Sequence, residues 1–157
     1  MRVSQNGLAF IAREEGLSLN VYDDVAGYKT IGVGHLLTQT ELDSGFLVIG
    51  GEIVAWDNGL TQEQALDLLA QDIQGTEAIV NALVKVPLNQ NQFDALVSFT
   101  FNVGSGAFSQ STLLKMLNTG QYDAVPPQMM KWVKAGGRVV DGLVNRRQEE
   151  SALWESA

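Results

Sequence analysis

Leu8, Ile11, Ala12 and Glu15 recur at the spacing of one helical stripe, so the apolar pattern predicts a helix over residues 4–15. On that stripe Glu15 joins an apolar face. Val3, Gly7 and Phe10 form a weaker second stripe that includes Glu14. Gly16 is placed to end the helix as a left-handed cap. From Leu17 the period drops to two: Leu17, Leu19 and Val21 alternate with Ser18, Asn20 and Tyr22, as in a strand. VAGYK offers a turn around Gly27 and TIGVG a returning strand, which would make Asp24 and Thr30 cross-strand partners on one face. FLVIGGEIVAW, residues 46–56, reads as a further hairpin turning at Gly50-Gly51.

The rest of the pattern is helical. Thr61 to Gln64 is a capping-box start, opening a helix to about residue 80 through Leu66, Leu69 and Ile73. Asn89 to Gln92 repeats the signal before FDALVSFTFNVG, and a helix near SQSTLLKMLNTG ends at Gly120. Two more are predicted over Tyr122–Lys134 and Asp141–Glu155, separated by the loop AGGRVV. This order implies an α+β chain forming one domain. Its small antiparallel sheet lobe covers about 16–60 and its connecting helix about 61–80. A larger helical lobe covers about 81–157 plus the helix 4–15, and a cleft between the lobes is the expected ligand site.

Composition narrows the function more than the fold. The 157 residues are 45% hydrophobic and 18% charged, ordinary for a folded protein. With no cysteine, disulfides and thiolate metal sites are excluded, and a single histidine argues against a histidine-rich metal centre, so no metal or cofactor is expected. Ten Lys+Arg against eighteen acids, a formal charge of −8, argue against nucleic acid as a partner. The apolar run at 46–56 is broken by Glu52 and falls short of the roughly 18 to 20 residues that a membrane span needs, so no stable membrane insertion is expected. The first residues hold one arginine and too short an apolar run for an export signal, so folding in the cytoplasm is the expectation.

Among chemistries, nucleophilic serine or cysteine catalysis is disfavoured: there is no cysteine and no G-x-S-x-G, and His35 reads as a structural histidine making one hydrogen bond or ion pair. No phosphate-binding loop is complete. The carboxylates Glu15 and Asp24 remain. Glycoside cleavage needs one acid that keeps its proton and a second, ionised carboxylate that directs water or attacks. Glu15, on the apolar stripe beside the negative end of its helix, suits the first task, and Asp24, beside a turn and water, the second.

The segment EGLSLNVYDDVAGYKTIGVGHLLT, residues 15–38, resembles the signature of the phage-type lysozymes, endolysins that act as glycoside hydrolases. The family pattern E-G-x-x-L-x-x-Y-x-D-x-x-G-x-x-T-I-G-x-G-H is matched by Glu15, Gly16, Leu19, Tyr22, Asp24, Gly27, Thr30, Ile31, Gly32, Gly34 and His35. ALVSFTFNVGSGAFSQSTLLKMLNTG and GLVNRRQEESALW are similar to later blocks of that family. The resemblance implies a lysozyme-like fold and hydrolysis of the β-1,4 bond between N-acetylmuramic acid and N-acetylglucosamine in peptidoglycan, causing host lysis. It implies Glu15 as general acid, Asp24 as its carboxylate partner and Thr30 as a holder of the attacking water. Leu36, Phe101 and Ser111 are the implied substrate contacts, His35 a supporting residue, and Arg146, with Arg147 as alternative, the arginine that pairs with the glutamate. It further implies a monomer that waits in the host cytoplasm and reaches the periplasm and wall through a holin. The alternatives are a lytic transglycosylase on the same bond and an inert peptidoglycan-binding phage protein. Asp24 and Thr30 favour hydrolysis over both.

Overall fold

The computed structural model describes residues 1–156, in two compact units: residues 8–74, and residues 1–7 together with the chain from Gly75 onward. The mixture of helices and small antiparallel sheets is the α+β class the pattern predicts.

Helix α1 spans Gln5–Glu15. Ser4 starts it by accepting from the Gly7 N–H at 3.0 Å. Gly16, at φ 85°, stops it with its N–H on the Ala12 carbonyl at 2.9 Å. In residues 8–74 a three-stranded antiparallel sheet follows, ordered β1 (Ser18–Asp23), β2 (Lys29–Gly32), β3 (His35–Leu36). Its register is Ser18 opposite Gly32, then Tyr22 opposite Thr30 and Asp23 opposite Lys29. Two extra residues of β1 are thus bulged out between Ser18 and Tyr22. The bulge breaks the simple alternation: Leu17 and Val21 pack on the core, whereas Leu19 is exposed. It also corrects the predicted pairing, because the partner of Thr30 on β1 is Tyr22 and Asp24 lies in the turn beyond the strand.

Helix α2 (Gln39–Ser44) is an element the hydrophobic pattern does not predict. The hairpin of β4 (Phe46–Ile49) and β5 (Glu52–Ala55) forms as expected on Gly50 and Gly51, both at positive φ, as its tight turn requires. Helix α3 (Gln62–Asp72) closes this unit, its capping box made by Thr61 and Gln64. The core here is Ile31, Leu37, Leu47, Ile49, Leu60, Ala65 and Leu68, with Trp56 and Val54 packed against it.

The helix predicted to run to residue 80 is two helices. At Ile73, φ −86° and ψ −1° unwind the turn, and α4 (Gln74–Leu83) begins anew. Helix α5 (Gln90–Val103) is buried without interruption from Phe93 to Thr100, the pattern of a central helix rather than a surface one. Its Asp94 accepts from Ser4 and Gln90, and it lies so close to Gly7 that a Cβ there would meet its carboxyl at 2.5 Å. Helices α6 (Ser105–Ser109) and α7 (Thr112–Asn118) follow.

Two further expectations are corrected. The helix predicted over 122–134 shrinks to a 3₁₀ turn at Tyr122–Ala124 and α8, Val125–Met129, because Pro126 and Pro127 fit only a first helical turn. AGGRVV is not a plain loop: β6 (Lys134–Ala135) and β7 (Arg138–Val139) pair across Gly136-Gly137. Helix α9 (Asp141–Glu155) packs on α5 and α8.

Candidate active site

Glu15 is the last residue of α1 and is exposed. The stripe that predicts its burial ends at Ala12. Leu8, Ile11 and Ala12 are buried, but Gly16 turns the chain directly after Glu15 and leaves it at a helix end facing water. Glu14, on the second stripe, is the half-buried member of the pair.

Asp24 sits in the β1–β2 turn and is held by main chain. Its Oδ1 accepts from the N–H of Ala26 at 2.9 Å and of Tyr28 at 2.8 Å. Its own N–H donates to the Tyr28 carbonyl at 2.9 Å, and its carbonyl accepts from the Gly27 N–H at 2.9 Å. Among the described residues no group donates to Oδ2. Thr30 is buried at 3% exposure, and its hydroxyl donates to the same Tyr28 carbonyl at 3.0 Å. One residue, Tyr28, therefore ties the carboxylate and the hydroxyl together through its N–H and C=O. Sequence reading singled out both ends of this link and missed the link, since a main-chain group has no residue type to betray it.

Thr30 also stands opposite Leu36 across β2 and β3. Directly opposed residues of an antiparallel pair share a face, so Tyr22, Thr30 and Leu36 form one transverse row. The outer two are substantially exposed, Tyr22 at 40% and Leu36 at 52%, and the middle one is sunk between them.

His35 is more heavily engaged than a single bond. Nδ1 lies 2.8 Å from Asp72 Oδ2 and Nε2 lies 2.9 Å from Glu41 Oε1. The Asp72 hydrogen bond, with Glu41 adding to it against the cost of burial, raises the imidazole pKa from 6.5 to about 9. Glu41 serves twice, since its carboxylate also caps α2 by accepting from the Thr38 N–H at 2.9 Å. The signal for it was present in Thr38-Gln39-Thr40-Glu41, a capping-box spelling.

In the other unit, Phe101 is half-buried near the end of α5. Ser111 is 5% exposed, and its hydroxyl caps α7: it accepts from the Leu114 N–H at 3.1 Å and donates to the Phe108 carbonyl at 2.7 Å. Arg146 and Arg147 are both buried around Glu150, which is wholly buried. Arg146 Nε lies 3.1 Å from Glu150 Oε2 and its Nη2 3.1 Å from the Ser98 carbonyl. Arg147 reaches Glu150 Oε1 and Asn102, donates to the Trp132 carbonyl at 2.9 Å, and lies 5.0 Å from the centroid of the Phe99 ring. Ser98 donates to Glu150 Oε2 at 2.6 Å. Among the described residues no group of histidine and acidic side chains is arranged to hold a metal ion.

Small antiparallel sheets in a mostly helical chain are the architecture of the lysozyme-like glycoside hydrolases. The model of the phage lysozyme family matches residues 12–150, and the chain belongs to that family. It is 45% identical, over the whole of both chains, to an endolysin of Acyrthosiphon pisum secondary endosymbiont phage 1. It is 42% identical to the endolysin of Salmonella phage P22 over 99% of each. Among solved structures, a P22 lysozyme mutant matches with TM-score 0.83 at 40% identity over 99% of both chains. The muramidase domain of SpmX from Asticaccaulis excentricus matches with TM-score 0.80 at 32% identity, also over 99% of both.

Proposed function

We propose that this phage lysozyme is an endolysin that hydrolyses the β-1,4 bond between N-acetylmuramic acid and N-acetylglucosamine of bacterial peptidoglycan. The observation that carries the reading is the Asp24–Tyr28–Thr30 link. With Oδ1 of Asp24 occupied by two N–H groups, Oδ2 is the oxygen left to act. With the Thr30 proton directed at the Tyr28 carbonyl, the lone pairs of Oγ1 are left to accept. A water giving one hydrogen to each of these oxygens turns its own lone pair outward, toward an anomeric carbon. In the reaction the water oxygen bonds to that carbon, its proton passes to Asp24, and the glycosidic C–O bond breaks as Glu15 protonates the leaving oxygen. Attack by a held water inverts the anomeric configuration.

Leu36 and Tyr22, exposed on either side of Thr30, suit contact with sugar rings. Phe101 is a further substrate contact by the family resemblance alone. Ser111, whose hydroxyl caps α7 and keeps one lone pair to accept, is another substrate contact in this reading. Arg146 keeps a supporting role. The protein acts as a monomer. No helix of the described residues is long and apolar enough to cross a membrane. Release to the wall from the host cytoplasm through a holin is what the family resemblance implies.

Product analysis of purified wall digested by the wild type and by Glu15→Gln tests this reading. The wild type should add one water per cleavage, and the variant should lose about 10²- to 10⁴-fold in rate, the usual share of a general acid. Anhydro sugar ends would establish a transglycosylase instead. Undiminished clearance by the variant would remove Glu15 from the chemistry.

A further inference from the structure

The five residues from Asp24 to Tyr28 make a closed hydrogen-bonded loop in which one conformation is unusual: Gly27 has φ 84°, while no residue other than glycine has positive φ anywhere in the described chain. The peptide joining Gly27 to Tyr28 is the one whose N–H donates to Asp24 Oδ1, so the direction of that donor is set by the torsions of Gly27. The Tyr28 carbonyl, one peptide further on, receives both the Asp24 N–H and the Thr30 hydroxyl. Val25, Ala26, Gly27 and Tyr28 are all exposed, and a Cβ built on Gly27 would meet nothing within 4 Å. A side chain at this position therefore clashes with no neighbour. What it disturbs is the left-handed conformation itself. A residue that avoids positive φ relaxes by turning the 27–28 peptide, and the water-exposed loop offers no packing to resist the turn.

We infer that Gly27 is a positioning residue for the reaction, fixing the Asp24 carboxylate and the Thr30 hydroxyl in their working orientations through the Tyr28 main chain. The inference rests on the proposed roles of Asp24 and Thr30. Its physical content is a rank order. Turnover should follow the tolerance of the residue at 27 for the left-handed region, with glycine best, asparagine next, alanine below it and valine worst. It is an effect on kcat, because the substrate-facing side chains of the sheet stay in place while the reacting carboxylate swings away.

The test uses the full chain on soluble, uncrosslinked peptidoglycan fragments, with Gly27→Asn, Gly27→Ala, Gly27→Val, Asp24→Asn and Gly50→Val assayed in parallel. Gly50 is a matched control: it too has positive φ and no atom within 4 Å of a built Cβ, but it turns the β4–β5 hairpin. The expected result is a fall in kcat of about tenfold to a hundredfold for Gly27→Val, the scale of a misplaced catalytic group, with KM little changed. Gly27→Asn should recover most of that loss, and Gly50→Val should keep wild-type kcat despite a comparable drop in melting temperature. Should the valine chain fail to fold, the alanine and asparagine pair carries the same comparison. Equal turnover in all Gly27 variants, or an equal loss in Gly27→Asn and Gly27→Ala, overturns the inference. Wild-type turnover in Asp24→Asn would remove the underlying reading instead, so the two failures are distinguishable.

Discussion

His35 shows how much a single side chain can tie together. An imidazole carrying both protons donates to Asp72 and Glu41 at once, whereas the neutral ring donates to only one of them. Asp72 lies at the end of α3 and Glu41 in the first turn of α2, so the ring binds β3 to both helices within residues 8–74. Folding therefore raises the pKa from 6.5 to about 9, and the sign of the linkage follows. Below pH 6.5 the ring is protonated in both folded and unfolded chains, and the stabilisation is complete. Between 6.5 and 9 only the folded chain holds the proton, so the stabilisation drains away, and above 9 it is gone. Its ceiling is about 3 kcal/mol, lowered by the water that reaches Asp72. Urea unfolding at pH 6 and at pH 9.5 should show the wild type losing about 2 kcal/mol across that range, while His35→Gln starts lower and stays flatter. Parallel behaviour of the two proteins would refute the linkage. The sequence showed His35 and hid both partners in different ways. Asp72 is far along the chain, where spacing says nothing, and Glu41 stood in a capping box whose following residues lack a helical apolar stripe.

Between α5 and α9 the chain commits to a different kind of contact. Glu150, with no exposed surface, is met by Arg146 and Arg147 from its own helix and by Ser98 from α5. Two buried guanidinium groups are tolerable because a buried carboxylate stands between them, each oxygen facing one arginine. Glu150→Ala should therefore cost about 3 to 5 kcal/mol of unfolding free energy, far more than an ordinary surface acid, because two buried guanidinium groups lose the carboxylate that both of them hydrogen-bond. A loss below about 1 kcal/mol in denaturant titration would show that water or other partners already satisfy the arginines. The helix carrying this cluster was expected at its observed bounds, Asp141–Glu155, as were α1 from its apolar stripe, α5 from the capping signal at Asn89–Gln92 and the β4–β5 hairpin from Gly50-Gly51. The misreadings have local causes. Gly136-Gly137 spells the same tight turn as Gly50-Gly51, but the flanking strands are two residues long and leave no alternation to detect. The β1 bulge keeps a strand-like composition while shifting Leu19 out of the core, and Ile73 breaks a helix with a dihedral change that no residue type announces.

At the scale of the whole molecule, charge is the property that sets performance on intact cells. Residues 8–74 hold eleven of the eighteen acids but only two of the ten lysines and arginines, a net −9, so the unit that carries Glu15, Asp24 and Thr30 accounts for the whole of the chain's net −8 and the other unit is slightly basic. Intact cell walls are themselves anionic, and the repulsion acts during approach, before any sugar is in contact. It reaches about 30 Å at 0.01 M salt and about 8 Å at 0.15 M. Clearance of whole cells should consequently rise as salt is added from the lowest concentration, whereas turnover of a short uncharged oligosaccharide should stay level, since approach of a neutral substrate meets no such barrier. Glu63→Lys combined with Asp67→Lys, both exposed on α3, should raise low-salt clearance and flatten the dependence without changing oligosaccharide turnover. A steady loss of wild-type clearance from the lowest salt upward would mean that attraction, not repulsion, governs the encounter. In that case the seven lysines and arginines beyond residue 74 would have to outweigh the acidic unit at the wall, and the charge-reversed protein would then be the one with the steeper salt dependence.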